Sequence, residues 1–374
     1  MEKLIDLTGN ANEAAWLWLC SIPEISCRQQ RILVSYFGSP MAVFMARDDE
    51  FDAWERIGRQ WVRNVRAHKN DHFADGTAEK MKRKGVRFIS CEHSAYPARL
   101  RSIADAPCGL FFKGRLPDDQ MSAAAVIGSR NCSSYGAVMA GKIAGVLADC
   151  GIPVISGMAR GIDGISQREC LDNGGVSFGV LGSGADVCYP RENIELYEML
   201  AEKGGILSEY PCGTQPLAWH FPARNRIICG LAEHVIVVEA REDSGSLITV
   251  SFALEQGRNV IAVPGRSGDV LSTGCNQLIR DGAQILLSED ELPSLLGLPA
   301  EEAERRRERK MQEKSAQISA EERQVLAELS SDPVSFDILL GKLRIRSGQL
   351  SGILLKLQMD GYIREISKNL YIKY

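Results

Sequence analysis

Five arginines and a set of small residues occupy the places where this chain would hold an oxyanion. Gly128-Ser129-Arg130 follows the apolar run 124–127, and Ser156-Gly157 follows 153–155 with Arg160 in the same loop. Gly182 and Gly184 follow 177–181, and Arg191 opens the helix that comes next. Arg224-Asn225-Arg226 lies in the first turn of a helix starting near Phe221. Guanidinium forks and the free N–H groups of helix N-termini both recognise phosphate. Cations in a first helical turn oppose the macrodipole, a cost that makes sense if an anion is bound there. The competing reading is internal: the arginines pair with Glu209 and Glu239.

The elements that must position these loops are legible. Short apolar runs at 86–89, 110–112, 124–127, 153–155, 177–181, 206–207, 234–239, 259–263 and 284–287 read as strands, and the helices between them end at glycines such as Gly151 and Gly257. Alternation of this kind specifies an α/β fold, a mostly parallel, doubly wound sheet. The carboxyl ends of parallel strands share one edge, so Arg130, Arg224 and Arg226 are expected to converge there. A base could stack on Tyr189 or Phe221 beside them.

The expected organisation is a helical domain over 1–75, the sheet domain over 76–290, a mixed-charge linker over 291–315 and a winged helix over 316–374. Trp16-Leu17-Trp18-Leu19 marks a buried helical face, and Ser39-Pro40 starts a helix as N-cap and first residue. Glu24 stands where a helix-hairpin-helix would want glycine, which favours plain helical packing. Ser319 and Glu322 form a capping box at the start of the last unit. In that unit Arg344, Arg346, Gln349 and Lys356 are candidates to face a partner, duplex DNA among them.

Several function classes lose support. Gly136 to Lys142 fits the first seven positions of a Walker A loop, but Ile143 stands where the metal-binding Ser or Thr belongs, and the run reads as helix interior. Gly182-Ser183-Gly184 is half a dinucleotide fingerprint, and no GxSxG elbow occurs. His68 and His72 have chelating spacing on a possible helix but lack a third ligand, so no metal and no cofactor is expected. The 11 cysteines include no CxxC pair and read as buried apolar residues of a reducing cytoplasm. No run is apolar enough for a membrane span, and no signal peptide is apparent. The net charge of -4 means that nucleic-acid binding would need locally concentrated arginine.

The ordered set VIGSR, SGMARGID, VLGSGADVCYPREN, LSEYP, FPARNRIICG, VVEAREDSGSLIT, GRNVIAVPG and GCNQLIRDGA resembles the DNA-processing protein A (DprA/Smf) family, densely over about residues 80–290. The resemblance implies an extended Rossmann-like domain that binds single-stranded DNA, dimerises and loads a RecA-type recombinase onto DNA entering by natural transformation. It carries DNA contact onto Gly128, Ser129, Arg130, Ser156, Gly157, Arg191, Arg224, Asn225 and Arg226. The family commonly has histidine at the position of Gln167. Leu278 and Ile279 are candidates for the dimer interface, with core packing as the competing role. The alternative function is nucleotide or nucleoside-phosphate hydrolysis, with Glu209, Glu239 or Asp163 as acid or base.

Overall fold

The computed structural model describes residues 1–56, 61–298, 319–330, 333–343, 345–359 and 362–373. The chain forms two compact units that part within residues 299–318.

Among the described residues the first unit begins with seven helices, α1 Glu2–Thr8, α2 Ala11–Ser21, α3 Cys27–Phe37, α4 Pro40–Met45, α5 Asp48–Arg56, α6 Val62–Ala67 and α7 Asp71–Lys84. Side-chain caps set their starts: Asn10 accepts from the amides of Asn12 and Glu13, Ser26 and Gln29 form a capping box, and Ser39 accepts from Ala42 N ahead of Pro40. Trp16, Leu17, Trp18 and Leu19 are all buried. A helix apolar on every side needs neighbours on every side. Here α2 packs among the other helices and also against the sheet, sharing one core with Phe111, Met158, Leu181 and Ile206. The expected boundary at 75 falls inside α7, so the helical segment extends to Lys84 and shares its core with the sheet. His68 ends α6 and His72 belongs to α7, with the N-cap Asn70 between them. The two imidazoles therefore do not share a helix face, and the described residues hold no cluster suited to a metal ion.

Nine strands follow: β1 Arg87–Ser90, β2 Gly109–Gly114, β3 Ala124–Ile127, β4 Val154–Ser156, β5 Ser177–Leu181, β6 Gly205–Ser208, β7 His234–Val237, β8 Asn259–Ala262 and β9 Gln284–Ile285. They form one sheet in the order β1-β2-β6-β5-β4-β3-β7-β8-β9. Pairing is parallel from β6 through β9, and antiparallel at β1–β2 and β2–β6. Helices α8 Ala98–Arg101, α9 Ser134–Asp149, α10 Ile162–Asp172, α11 Ile194–Lys203, α12 His220–Leu231, α13 Gly245–Glu255, α14 Thr273–Arg280 and α15 Leu292–Leu295 connect them. The Walker-like run lies wholly inside α9, where Lys142 pairs with Glu289 at 2.8 Å.

Leu292 and Leu296 are buried in the core beneath α9. Their burial places 291–298 with the sheet domain, so no linker begins at 291; the rest of the expected linker lies outside the described residues. No described helix is long and apolar enough to cross a membrane.

The second unit is a winged helix. Helices Ala320–Ala327, Phe336–Leu343 and Ser347–Met359 pack on a three-stranded sheet of Val334–Ser335, Leu370–Lys373 and Ile363–Ser367. Ser319 and Glu322 form the capping box. Lys356 pairs with Glu322 at 2.6 Å, and Gln349 donates to Glu321 at 2.9 Å. Two of the candidate partner-facing residues are thus engaged inside the unit; Arg346 is exposed, and Arg344 lies outside the described residues.

Candidate nucleic-acid interface

The strand order reverses between β3 and β7, where an open α/β sheet usually receives its ligand. In this chain that crevice is filled from within. Glu239, just past β7, is 2% exposed. Its carboxylate accepts from Ser133 N at 2.8 Å and from the Ser133 hydroxyl, and its carbonyl accepts from Ser129 N at 2.8 Å. Ser133 is the N-cap of α9, so the anion position at that helix start is taken by the chain's own carboxylate. Gly136 leaves the room: a Cβ there would lie 2.3 Å from Glu239 Oε2. Among the described residues Glu239 therefore pairs with a helix start and not with an arginine.

The neighbouring loops abut closely. Gly161 has φ 69°, and a Cβ on it would meet the Ser129 carbonyl oxygen at 2.2 Å. Only glycine combines that left-handed backbone with that approach. Gly128 packs on Ile162, and Ser156 donates to Val126 O at 2.7 Å. The Gly157 amide donates to Asp163 at 3.1 Å. Beside Gly157 lies the Arg224 guanidinium, which donates to Gly157 O at 2.9 Å and to Val180 O, while its Nε donates to Asn225 Oδ1 at 3.1 Å. Burial lowers Arg224 to about 10, against the opposing pull of Asp163. Burial likewise pushes the Asp163 carboxyl above its ordinary range, which Arg224 only partly offsets. The Arg224 hydrogen bonds tie the ends of β4 and β5 to α12.

Arg226 also turns inward. It is 8% exposed, and its Nη2 donates to both Glu209 oxygens at 2.7 and 2.8 Å while Nε donates to Asp105 O at 2.9 Å. The expected convergence of three guanidiniums is thus corrected. Residues two apart on a helix point about 200° from each other at 3.6 residues per turn, so Arg224 and Arg226 do not converge on one phosphate. The helical period carried that signal. Internal pairing, the competing reading, holds for Arg226 with Glu209.

What remains on the surface is a smaller cluster. Arg130 is exposed, with its guanidinium carbon 5.6 Å from the centroid of the Phe221 ring. Phe221 lies against Gly182 and 5.4 Å from the Tyr189 ring, which is 45% exposed. Arg191 is exposed in the turn that follows, and neither Arg130 nor Arg191 makes an ion pair among the described residues. Arg160 pairs with Glu192 at 2.5 Å, both side chains well exposed; such a surface pair contributes little and opens readily. Gly184 lies deeper, its amide on Thr214 O at 3.0 Å. Two aromatic rings with the unpaired Arg130 over one of them can stack a base and hold a phosphate.

Comparison with known proteins places this architecture. A family model described as DNA recombination-mediator protein A matches residues 87–297, more than half of the chain. The chain belongs to that family. A DprA winged helix domain model matches residues 309–367. The DprA of Streptococcus pneumoniae is 47% identical over 193 residues, covering 52% of this chain and 68% of the relative. Protein Smf of Synechocystis is 33% identical over 293 residues, covering 77% and 74%. Among solved structures, DprA from S. pneumoniae superposes with a TM-score of 0.65 at 34% identity, covering 75% of this chain and 97% of that one. The DprA of Helicobacter pylori, whose structure is described for its single-stranded DNA binding mode, gives 0.51 at 27% identity, covering 57% and 97%. Gln167, where DprA proteins commonly carry histidine, is fully buried. It accepts from Met158 N at 3.0 Å and donates to Phe178 O at 3.0 Å. In this DprA relative the position braces the β4 loop.

Proposed function

We propose that this protein binds single-stranded DNA at the Arg130–Phe221–Tyr189 cluster, largely without regard to sequence, and works as a dimer that delivers the strand to a RecA-type recombinase in the cytoplasm. The observation that carries this reading is the exposed guanidinium of Arg130, without an ion pair among the described residues, over the half-buried Phe221 ring and beside the exposed Tyr189 at the strand ends. Phosphate and stacking contacts carry no base code, so the affinity is salt-dependent and sequence-tolerant. A role in binding fits better than hydrolysis, because each candidate carboxylate already has an internal partner: Glu209 holds Arg226, Glu239 caps α9, and Asp163 faces Gly157 and Arg224. The test is a mobility-shift titration with oligo-dT and with duplex of equal length at several salt concentrations. Duplex bound as tightly as oligo-dT, or base released from nucleoside monophosphates, overturns it.

The phosphate-facing loops all precede residue 298. Truncation there is expected to leave a folded protein with oligo-dT affinity within about three-fold of the full chain, measured by filter binding. Truncation at 290, by contrast, removes Leu292 and Leu296 from the core and lowers the melting temperature.

For the dimer, Leu278 and Ile279 are half-buried against the sheet core, whereas Leu287 is 66% exposed beside the outer strand β9. Leu287→Asp is expected to yield a folded monomer by light scattering, while charges at Leu278 and Ile279 cost stability as well. A dimer that survives Leu287→Asp places the interface elsewhere.

A further inference from the structure

Trp219, the residue before α12, is the most exposed aromatic side chain among the described residues, at 67%. A tryptophan so placed leaves a large apolar surface in water, and its type is enriched where one face meets a partner. Its ring contact is edge-on to His220, with centroids 5.8 Å apart at 78°. His220 is itself fixed: Nδ1 lies 3.0 Å from Gly182 O, and its ring stacks on Tyr210 at 3.9 Å. The Trp219-His220-Phe221 backbone is therefore pinned at its middle residue. Phe221 carries the ring beneath Arg130. Trp219 already has helical backbone, φ -76° and ψ -15°, so its ring and that of Phe221 leave the start of α12 in different directions, and a strand that meets both wraps across that helix start.

Beyond Trp219 opens a groove of about 1350 Å³ between the N-terminal helices and the sheet, lined also by Tyr210, Arg28 and Lys80. Neither Arg28 nor Lys80 pairs with a carboxylate among the described residues, although Glu24 and Asp105 also line the groove. Glu209, on the same wall, is neutralised by Arg226.

We propose that Trp219 is a second stacking platform for the bound single strand, and that the strand runs from Arg130 and Phe221 across the start of α12 into this groove. Arg28 and Lys80 take its phosphates there. The inference rests on the single-strand reading above and extends the path beyond the strand-end loops. A stacked base explains the exposed tryptophan better than a protein contact, because it adjoins the Arg130 cluster along one rigid turn.

The protein supplies its own probe. Trp16, Trp18 and Trp54 are buried and Trp61 is half-buried, so Trp219 is the tryptophan that a base can reach most directly. Oligo-dT added to the full chain should quench tryptophan emission. Trp219→Phe should abolish the quench while keeping affinity, and Trp219→Ala should weaken binding about ten-fold without lowering the melting temperature. Unchanged emission together with native affinity for Trp219→Ala, in a protein whose binding still depends on Arg130, overturns the second platform and leaves the strand-end site standing. Trp219→Ala that keeps the strand but loses a recombinase partner makes Trp219 a protein contact, which also overturns it. If Arg130→Ala binds like the native protein, the underlying single-strand reading fails and this inference falls with it.

Discussion

Arg130→Ala is expected to weaken oligo-dT binding roughly ten-fold at moderate salt, with no change in melting temperature. An exposed cation that loses a charge-assisted contact to phosphate forfeits about 1.5–3 kcal/mol at most, and solvent reduces that at an open site. The sharper signature is the salt dependence. Each phosphate neutralised on a single strand contributes about -0.7 to the slope of log K against log salt, so the slope should become shallower by about that amount. Among the described residues the Arg130 side chain bonds to no other side chain and only overlies Phe221, so its loss is not expected to disturb the fold. Phe221→Ala should weaken binding by a similar factor but leave the slope alone, because a ring releases no counterion. Lys142→Ala, whose ammonium pairs with Glu289 on α9, should change neither quantity. A slope and affinity unmoved by Arg130→Ala would remove the phosphate site from this edge of the sheet.

Arg226→Ala is expected to act on stability first. The Arg226–Glu209 pair is nearly buried, with side-chain exposures of 10% and 17%. Taking away one member leaves the other charge without a partner in a poorly solvated place, which costs about 3–5 kcal/mol. In a unit of this size that is a fall in Tm of several degrees, on the order of 2 °C for each kcal/mol. Arg226→Met combined with Glu209→Leu should recover most of the loss, since both charges then go together. DNA affinity in the folded fraction should change little. The opposite result, native Tm with weakened oligo-dT binding, would return Arg226 to the phosphate site that its place in a helix start suggests. The double variant separates these cases even if Arg226→Ala folds poorly.

The two arginines of α12 show where local sequence stops informing. Strand positions, the caps at Ser39, Ser133 and Ser319, the helical interior of the Walker-like run and the winged helix were all legible. Each is set by residues within a few positions: alternation of apolar runs with helical periods, a hydroxyl three residues before an amide, a glycine at a helix end. The parallel sheet followed, because that alternation admits few other topologies.

Partner choice was not local. Glu239 reaches Ser133 across 106 positions and closes the crevice that the fold usually offers to a nucleotide. Arg224 spends its guanidinium on Gly157, 67 positions away, and Arg226 meets Asp105 O across 121. A buried charge goes to whichever opposing group the completed sheet brings within reach, since leaving it unpaired costs several kcal/mol. The same packing drew Leu292 and Leu296 under α9 although their surroundings read as linker. Sequence by itself determined the elements, their order and the edge where loops gather. Only the tertiary structure decided which arginines that edge leaves in water, because burial and pairing are properties of the assembled core.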